Sequence, residues 1–533
     1  MASQDNDVIV IGGGLSGLAA ASYLVKCGLQ PVVLEARERV GGRTVSDTIT
    51  VPGPGFFLSD LGGAYVGATQ GRQPMYRILR VADELLVATY PVHLTGKNVL
   101  MLHGSRVAHK GTIPPLPPVA LLDLNTLMLE TERLVAKVPK DAFSPDTALP
   151  PLCLELDRMT VEQWAKKKSF SPASAELYCG AVKSVLTTHP AAVSMLFWVK
   201  YVQQAGGLEL LMEHAQAYKF VGGSQSISEK LAARLGGGVV YLNQPVRRIT
   251  WEDTGVTVTT RAGRSWRAPF VVMAMAPSMY GGLEFEPPLP SARLKLCQRM
   301  PMGSIIKTVT VYRTAWWRDT GFSGSVFHDA GPVLYSYDDS GPDAAHPAIM
   351  GFILADHAMD WVRESKDRRE AAVVAQYAAA FGNDAALAPV AFHERNWMGE
   401  EFSGGCYTGV MGPRVLTECG RIIAQPMGRI HFAGTETASE WPGYMEGAVQ
   451  AGERAAHEVA ARFVSELAER GDGRTLSVPA APPGAEPANT TIPHPASLRP
   501  GVVDKLLPTV PTFYALLSVA AAVAAVAVIR WLK

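Results

Sequence analysis

Short apolar runs alternate with longer amphipathic stretches from the first residues onward. Four apolar residues, Val8–Ile11, are closed by glycines, which predicts a short buried strand. Residues 15–26 follow with Leu15, Leu18 and Leu24 on one side, the spacing of a helix. A second apolar run at 32–34 predicts a strand ending in Glu35. Strands are then predicted within 87–107, and mostly helices over 121–204, interrupted at 139–151. Trp164, Leu177, Val185, Leu196, Phe197 and Trp198 supply their apolar faces. A helix over 226–235 precedes strands at 239–242, 247–251 and 255–260, with Asp253-Thr254-Gly255 as a hairpin turn. Further strands are expected at 270–276, 305–312, 349–354 and 429–432, and helices at 368–381 and 444–467. The last helix carries Gly447, Ala448, Ala451, Ala455 and Ala456 as a small-residue face suited to close packing.

The final sixty residues read differently. Beyond Gly471 the chain is proline-rich and predicts no regular structure. Residues 513–529 then run without a charge and are followed by Arg530, Trp531 and Lys533. At ~1.5 Å per residue such a stretch just crosses a hydrocarbon core of about 30 Å, so a C-terminal transmembrane helix is expected. The N-terminus is short, polar and acidic, unlike a secretory or mitochondrial presequence.

Composition narrows the class. At 533 residues the chain exceeds one simple core, and 49 basic residues balance 49 acidic ones, so bulk charge offers nothing to nucleic acid. Six cysteines show no paired spacing and twelve histidines no clustering, which gives no disulfide scaffold and no metal site.

The chemistry begins at residues 7–43. Gly12, Gly14 and Gly17 stand in G-x-G-x-x-G register between the first strand and helix, and Glu35 lies eighteen residues beyond Gly17. The first glycine permits the tight turn, the second lets backbone approach a pyrophosphate, and the third lets helix and sheet pack closely. The helix N-terminus offers free N–H groups to phosphate oxygens, and the Glu35 carboxylate can accept from ribose hydroxyls. Arg37, Arg39, Gly41, Gly42 and Arg43 follow directly, three arginines and two glycines within seven residues.

Downstream stand Ser403-Gly404-Gly405-Cys406-Tyr407-Thr408, with Asn396-Trp397 before it and Gly434-Thr435-Glu436-Thr437 after it. Together with GGGLSGLAAA, VVLEARERVGGRT, DLGGAYVG, KFVGGS, MGSIIK, AIMGFILA and WPGYMEGAVQAGERAA, these runs resemble the flavin-containing monoamine oxidases over nearly the whole chain. The resemblance implies an α/β fold: a discontinuous Rossmann-type FAD-binding domain with an inserted α+β substrate domain. FAD-binding segments are expected at 1–90, 220–299 and 390–470, the last with the long helix. Substrate segments are expected at 91–219 and 300–389, a proline-rich linker at 471–511 and a membrane anchor at 512–533.

Roles also follow from the resemblance. Cys406 would hold FAD through a thioether to the 8α-methyl group. Gly12, Gly14, Gly17, Glu35, Arg37, Gly42, Arg43, Gly62, Val246, Trp397, Thr435, Glu436 and Met445 would complete the FAD site. Tyr407 and Tyr444 would face each other across the substrate amine, a slot that aligns its α-carbon. Lys307 would assist reaction with oxygen through a water at flavin N5, and Gln216, Tyr335 and Phe352 would line the substrate cavity. The implied reaction is oxidative deamination of primary arylalkylamines to aldehyde, ammonia and hydrogen peroxide, with amine and O2 as small-molecule partners. A homodimer tail-anchored in the mitochondrial outer membrane, its catalytic part facing the cytosol, is implied as well.

Two features depart from the family. The stretch 207–216 is about three residues shorter, and extra residues stand near 53–57 and 72–76. A polyamine or amino-acid oxidase of the same superfamily, and a non-catalytic membrane-tethered flavoprotein, are the alternatives.

Overall fold

The first strand forms where its four apolar side chains are buried on both faces. Val8–Ile11 lies between Pro31–Leu34 and Phe270–Met273, all parallel, with Val240–Tyr241 at one edge and Ile430–Phe432 at the other. Continuous apolar runs suit a parallel sheet covered on both sides. Helix Leu15–Lys26 packs on this sheet, and Met445–Arg470 packs on that helix. Their contact is close because Gly452 has no side chain; a Cβ there would stand 2.2 Å from the Ser16 carbonyl oxygen. Ala451, Ala455 and Ala456 are fully buried in the same seam.

This computed structural model describes residues 6–51, 55–67, 75–111, 116–144, 147–341, 346–470, 474 and 476–479. Among the described residues no helix is long and apolar enough to cross a membrane. The span expected at 512–533 lies outside them, as does most of the linker.

A second sheet has seven strands, ordered Ala391–Asn396, Ile305–Val311, Ala348–Leu354, Tyr335–Asp338, Phe322–His328, Lys97–Leu102 and Ser105–His109. Strand Ala391–Asn396 falls within the segment assigned from sequence to FAD binding, yet it hydrogen-bonds here. Two strands, Phe322–His328 and Tyr335–Asp338, carry no continuous apolar pattern. Their polar residues are buried and paired instead: Ser336 donates to the Gly324 carbonyl at 2.9 Å, and Trp317 donates to Asp338 at 2.7 Å. The apolar run 270–276 stops pairing as a strand at Met273, because residues 274–276 line a cavity rather than extend the ladder.

The block 118–204 is helical, with Pro118–Lys137, Pro151–Leu156, Val161–Lys168, Pro172–Leu186 and Met195–Gln204 around Trp164, Tyr178 and Trp198. Thr160 and Gln163 form a reciprocal cap at the third of these helices. The stretch 207–216 contains a π-helical turn, Leu210–His214, two residues before Gln216.

Candidate active site

The glycine turn leaves the sheet as its residue types require. Gly12 has φ +105°, a conformation a side chain rarely adopts. A Cβ on Gly17 would meet the Gly12 carbonyl oxygen at 1.9 Å, so only glycine permits this helix–turn contact. A Cβ built on Gly14 would touch the Gly41 carbonyl oxygen and the Gly42 Cα at 3.8 Å, which is ordinary van der Waals contact, and Gly14 lines the cavity described next. Glu35 is buried at the end of its strand, and its two oxygens accept from the Gly13 N–H at 2.6 Å and the Arg37 N–H at 2.8 Å. Each oxygen keeps a lone pair for a further donor.

This turn opens into a cavity of about 410 Å³, within the usual range for ligand sites. At the glycine end it is lined by Gly12, Gly14, Glu35, Arg37, Gly42, Arg43 and Val246. Gly62, Lys307, Cys406, Thr435 and Met445 line it as well. Tyr407, Tyr444, Gln216, Tyr335 and Phe352 line it too, so residues far apart in sequence share one chamber. Gln216 is exposed to solvent.

Three anticipated residues stand behind the wall. Gly17 packs on the turn, and Trp397 is buried with its indole N–H on the Leu61 carbonyl at 2.8 Å, bracing the turn before Gly62. Glu436 accepts from both terminal nitrogens of Arg43, at 2.5 and 3.1 Å. The same Arg43 donates to the Tyr407 carbonyl at 2.8 Å, and Gly409 N–H reaches Glu436 at 3.3 Å. This buried pair therefore joins the glycine–arginine loop to the Cys406–Gly409 segment. Arg39 turns away from the cavity and staples its own loop through the Val40, Gly42 and Thr44 carbonyls.

The cysteine segment is held closely. Gly404 and Gly405 both have positive φ, and a Cβ on Gly405 would strike the Gly303 carbonyl oxygen at 2.3 Å. The Cys406 N–H donates to that same carbonyl at 3.0 Å, Thr187 donates to the Cys406 carbonyl at 2.5 Å, and the Cys406–Tyr407 peptide is cis. Burial pushes the Cys406 thiol up to about 12, partly opposed by Arg43. At the other side Thr435 accepts from the Gly443 N–H at 2.9 Å and donates to the Tyr444 carbonyl at 3.1 Å, fixing the chain at the start of the long helix. The Tyr444 ring packs edge-on to Trp441 at 5.0 Å and lies 6.4 Å from Tyr201.

Sheet register sets the third wall. Lys307 pairs with Phe352, which pairs in turn with Tyr335, so the three occupy one row across adjacent strands. Lys307 Nζ donates to the Gly62 carbonyl at 2.7 Å and sits 5.4 Å from the Phe352 ring and 5.9 Å from Tyr65. Burial, aided by the like charge of Lys219, pushes its pKa down to about 8 against the opposing pull of Asp339 and Asp60.

Sequence reasoning missed Tyr65, Tyr201, Arg261, Tyr337 and Phe402, all of which line the cavity. Tyr337 was reachable by the two-residue period of a strand from Tyr335. Phe402 and Arg261 had no such signal; their partnership, with Arg37 and Arg261 at 5.5 and 5.4 Å from the Phe402 ring, is tertiary. Among the described residues no group of three His, Cys, Asp or Glu side chains is placed to hold a metal ion.

A parallel sheet with a glycine turn, feeding an aromatic chamber with a buried lysine, fits a dinucleotide-dependent oxidoreductase. The family model described as flavin containing amine oxidoreductase matches residues 15–460. A flavin-containing amine oxidase of Oncorhynchus mykiss is 42% identical over 459 residues, 85% of each chain. Flavin-containing amine oxidase B of Mus musculus is 40% identical over 463 residues, 86% of each chain. Cyclohexylamine oxidase from Brevibacterium oxydans superposes with a TM-score of 0.79 at 30% identity, over 86% of this chain and all of that one. Putrescine oxidase bound to putrescine matches at 0.79 and 29% identity, over 87% of this chain and all of that one. The chain belongs to the flavin-containing amine oxidoreductases, which use FAD to oxidise amines.

Proposed function

We infer that this protein deaminates primary arylalkylamines oxidatively, with FAD tethered through the sulfur of Cys406, and releases aldehyde, ammonia and hydrogen peroxide. The observation that carries the reading is one cavity lined together by the glycine turn, Cys406, Tyr407, Tyr444 and Lys307. The residues fit the group: Gly12, Gly14 and Gly42 present backbone without side chains to the cavity, where a pyrophosphate would lie, and Glu35 keeps acceptors for ribose. When bound, FAD supplies the two-electron oxidation and hands the electrons to oxygen.

The chain's own groups do the rest. Gly12, Gly14, Gly42 and the helix N-terminus at Leu15 receive the phosphates, and Arg43 compensates charge beside them. Gly62, Val246, Thr435 and Met445 line the FAD end, and Trp397 and Glu436 support it from behind. Tyr407 and Tyr444 hold the amine between aromatic faces and exclude water. Lys307 stabilises negative charge that develops as oxygen is reduced. Gln216, Tyr335 and Phe352 line the substrate cavity. Burial keeps the Tyr407 and Tyr444 phenols neutral, so they act by shape and polarity rather than as bases.

Purified protein is expected to consume oxygen and form peroxide with tyramine or benzylamine. Failure with a broad panel of amines, in protein that contains flavin, would leave the non-catalytic flavoprotein as the better reading. The membrane assignment rests on residues 513–529. A tail anchor in the mitochondrial outer membrane, with the catalytic part in the cytosol and a homodimeric assembly, follows the family resemblance. Chain truncated before residue 507 should move to the soluble fraction, and retention in membranes would sink the anchor.

A further inference from the structure

Strand Tyr335–Asp338 divides its side chains sharply. Ser336 and Asp338 point into the sheet's own core, where Ser336 bonds to Gly324 and Asp338 accepts from Trp317 and Arg318. Tyr335 and Tyr337 point the other way and both line the cavity. Their rings are nearly parallel, 10° apart with centroids at 6.4 Å. Phe327 closes on Tyr335 from one side at 5.0 Å, and Tyr65 and Phe352 flank Tyr337 at 6.1 Å each. The rings are fixed by packing.

Their hydroxyls are treated differently from the neighbouring ones. Tyr65 donates to the Met350 sulfur at 3.6 Å, and Tyr444 shares a hydrogen bond with Tyr201. Neither Tyr335 nor Tyr337 has a hydrogen-bond partner among the described residues. Both retain accessible surface although they lie deep in the protein, so that surface faces the cavity. Burial pushes Tyr337 up to about 12 and Tyr335 higher, which keeps both as neutral O–H donors across the physiological range. A ligand that offers an acceptor to these hydroxyls is selected over one that does not. No carboxylate faces these rings: the acidic residues lining the cavity are Glu35 and Glu401, at its nucleotide end. The subsite therefore suits an uncharged polar group and not a second ammonium.

We propose that the stacked Tyr335–Tyr337 pair is a hydrogen-bonding subsite for a hydroxyl carried on the ring of the substrate, with Tyr337 as a specificity-determining residue. The inference rests on reading the cavity as an amine site. It goes beyond that reading by ranking hydroxylated arylalkylamines above their unsubstituted analogues and assigning the preference to two named hydroxyls.

Tyr337→Phe and Tyr335→Phe remove one unpaired oxygen each and keep the ring, so folding is undisturbed. The expected result is that kcat/KM for tyramine relative to phenylethylamine falls between about two- and tenfold in Tyr337→Phe, mainly through KM for tyramine. Competitive inhibition by 4-ethylphenol should weaken by a similar factor while that by ethylbenzene stays put. Wild-type protein that oxidises neither amine would defeat the proposed function itself. Wild-type protein that oxidises both, with ratios unmoved in both Phe variants, would overturn the subsite and leave the function standing.

Discussion

Glu436→Gln is expected to destabilise the folded protein by about 3–5 kcal/mol, the usual cost of breaking a buried ion pair from one side. The change keeps shape and removes the carboxylate charge that faces the Arg43 guanidinium at 2.5 and 3.1 Å. Glu436 is fully buried in this pair and the Arg43 side chain is 23% exposed, so the carboxylate has no water to compensate it. Burial alone would raise the Glu436 carboxyl, and Arg43 reverses this, holding it below the usual carboxylate range. Its stabilisation is therefore complete above the ordinary carboxylate pKa and is lost as pH falls through the depressed one. Because Arg43 also carries the Tyr407 carbonyl, FAD content should fall with stability. Urea unfolding measures the first and flavin absorbance the second; a variant within about 0.5 kcal/mol of wild type would show that the pair carries no load.

Lys307→Met is expected to slow oxygen uptake on the order of 10²-fold at neutral pH, the scale of losing one preorganised electrostatic group. Amine binding should change little, since Lys307 bonds to Gly62 and not to the tyrosine pair. Its pKa of about 8 places a titration in the working range. The ammonium form is full below that pH, so the lysine-dependent rate should decline as pH rises through about 8. Stability runs in the opposite sense. A folded pKa below the ordinary lysine value means the unfolded chain binds more protons between about pH 8 and 10.5, so the penalty of burying this charge is present below 8 and relieved across that window. Lys307→Met should thus be at least as stable as wild type at pH 7. A variant with full oxygen reactivity, or wild-type activity flat from pH 7 to 9, would remove Lys307 from the reaction.

Local rules made the nucleotide half legible. Val8–Ile11, Leu15–Lys26 and Gly255–Thr260 stand where apolar runs, glycines and turn residues predicted them. The seven-stranded sheet was half visible, because Ile305–Val311 and Ala348–Leu354 are apolar throughout while Phe322–His328 and Tyr335–Asp338 bury serine and aspartate. Side-chain pairing across strands satisfied those polar groups, and periodicity cannot register that.

The site divided along the same line. Glycines 12, 14 and 42 and the acid Glu35 announce themselves through backbone and charge requirements, and the resemblance supplied Cys406, Tyr407, Tyr444 and Lys307. Arg39 shows the limit: three arginines in one loop look alike in sequence, yet one bonds only to its own loop's carbonyls. Tyr65, Tyr337 and Phe402 enter the chamber through sheet register and ring packing, which no single segment encodes.

The claim on which the account turns is that Cys406 secures the flavin inside this chamber. Purified wild-type protein precipitated with acid should carry its yellow absorbance into the pellet, while Cys406→Ala should leave it in the supernatant. Flavin appearing in the wild-type supernatant would contradict the account.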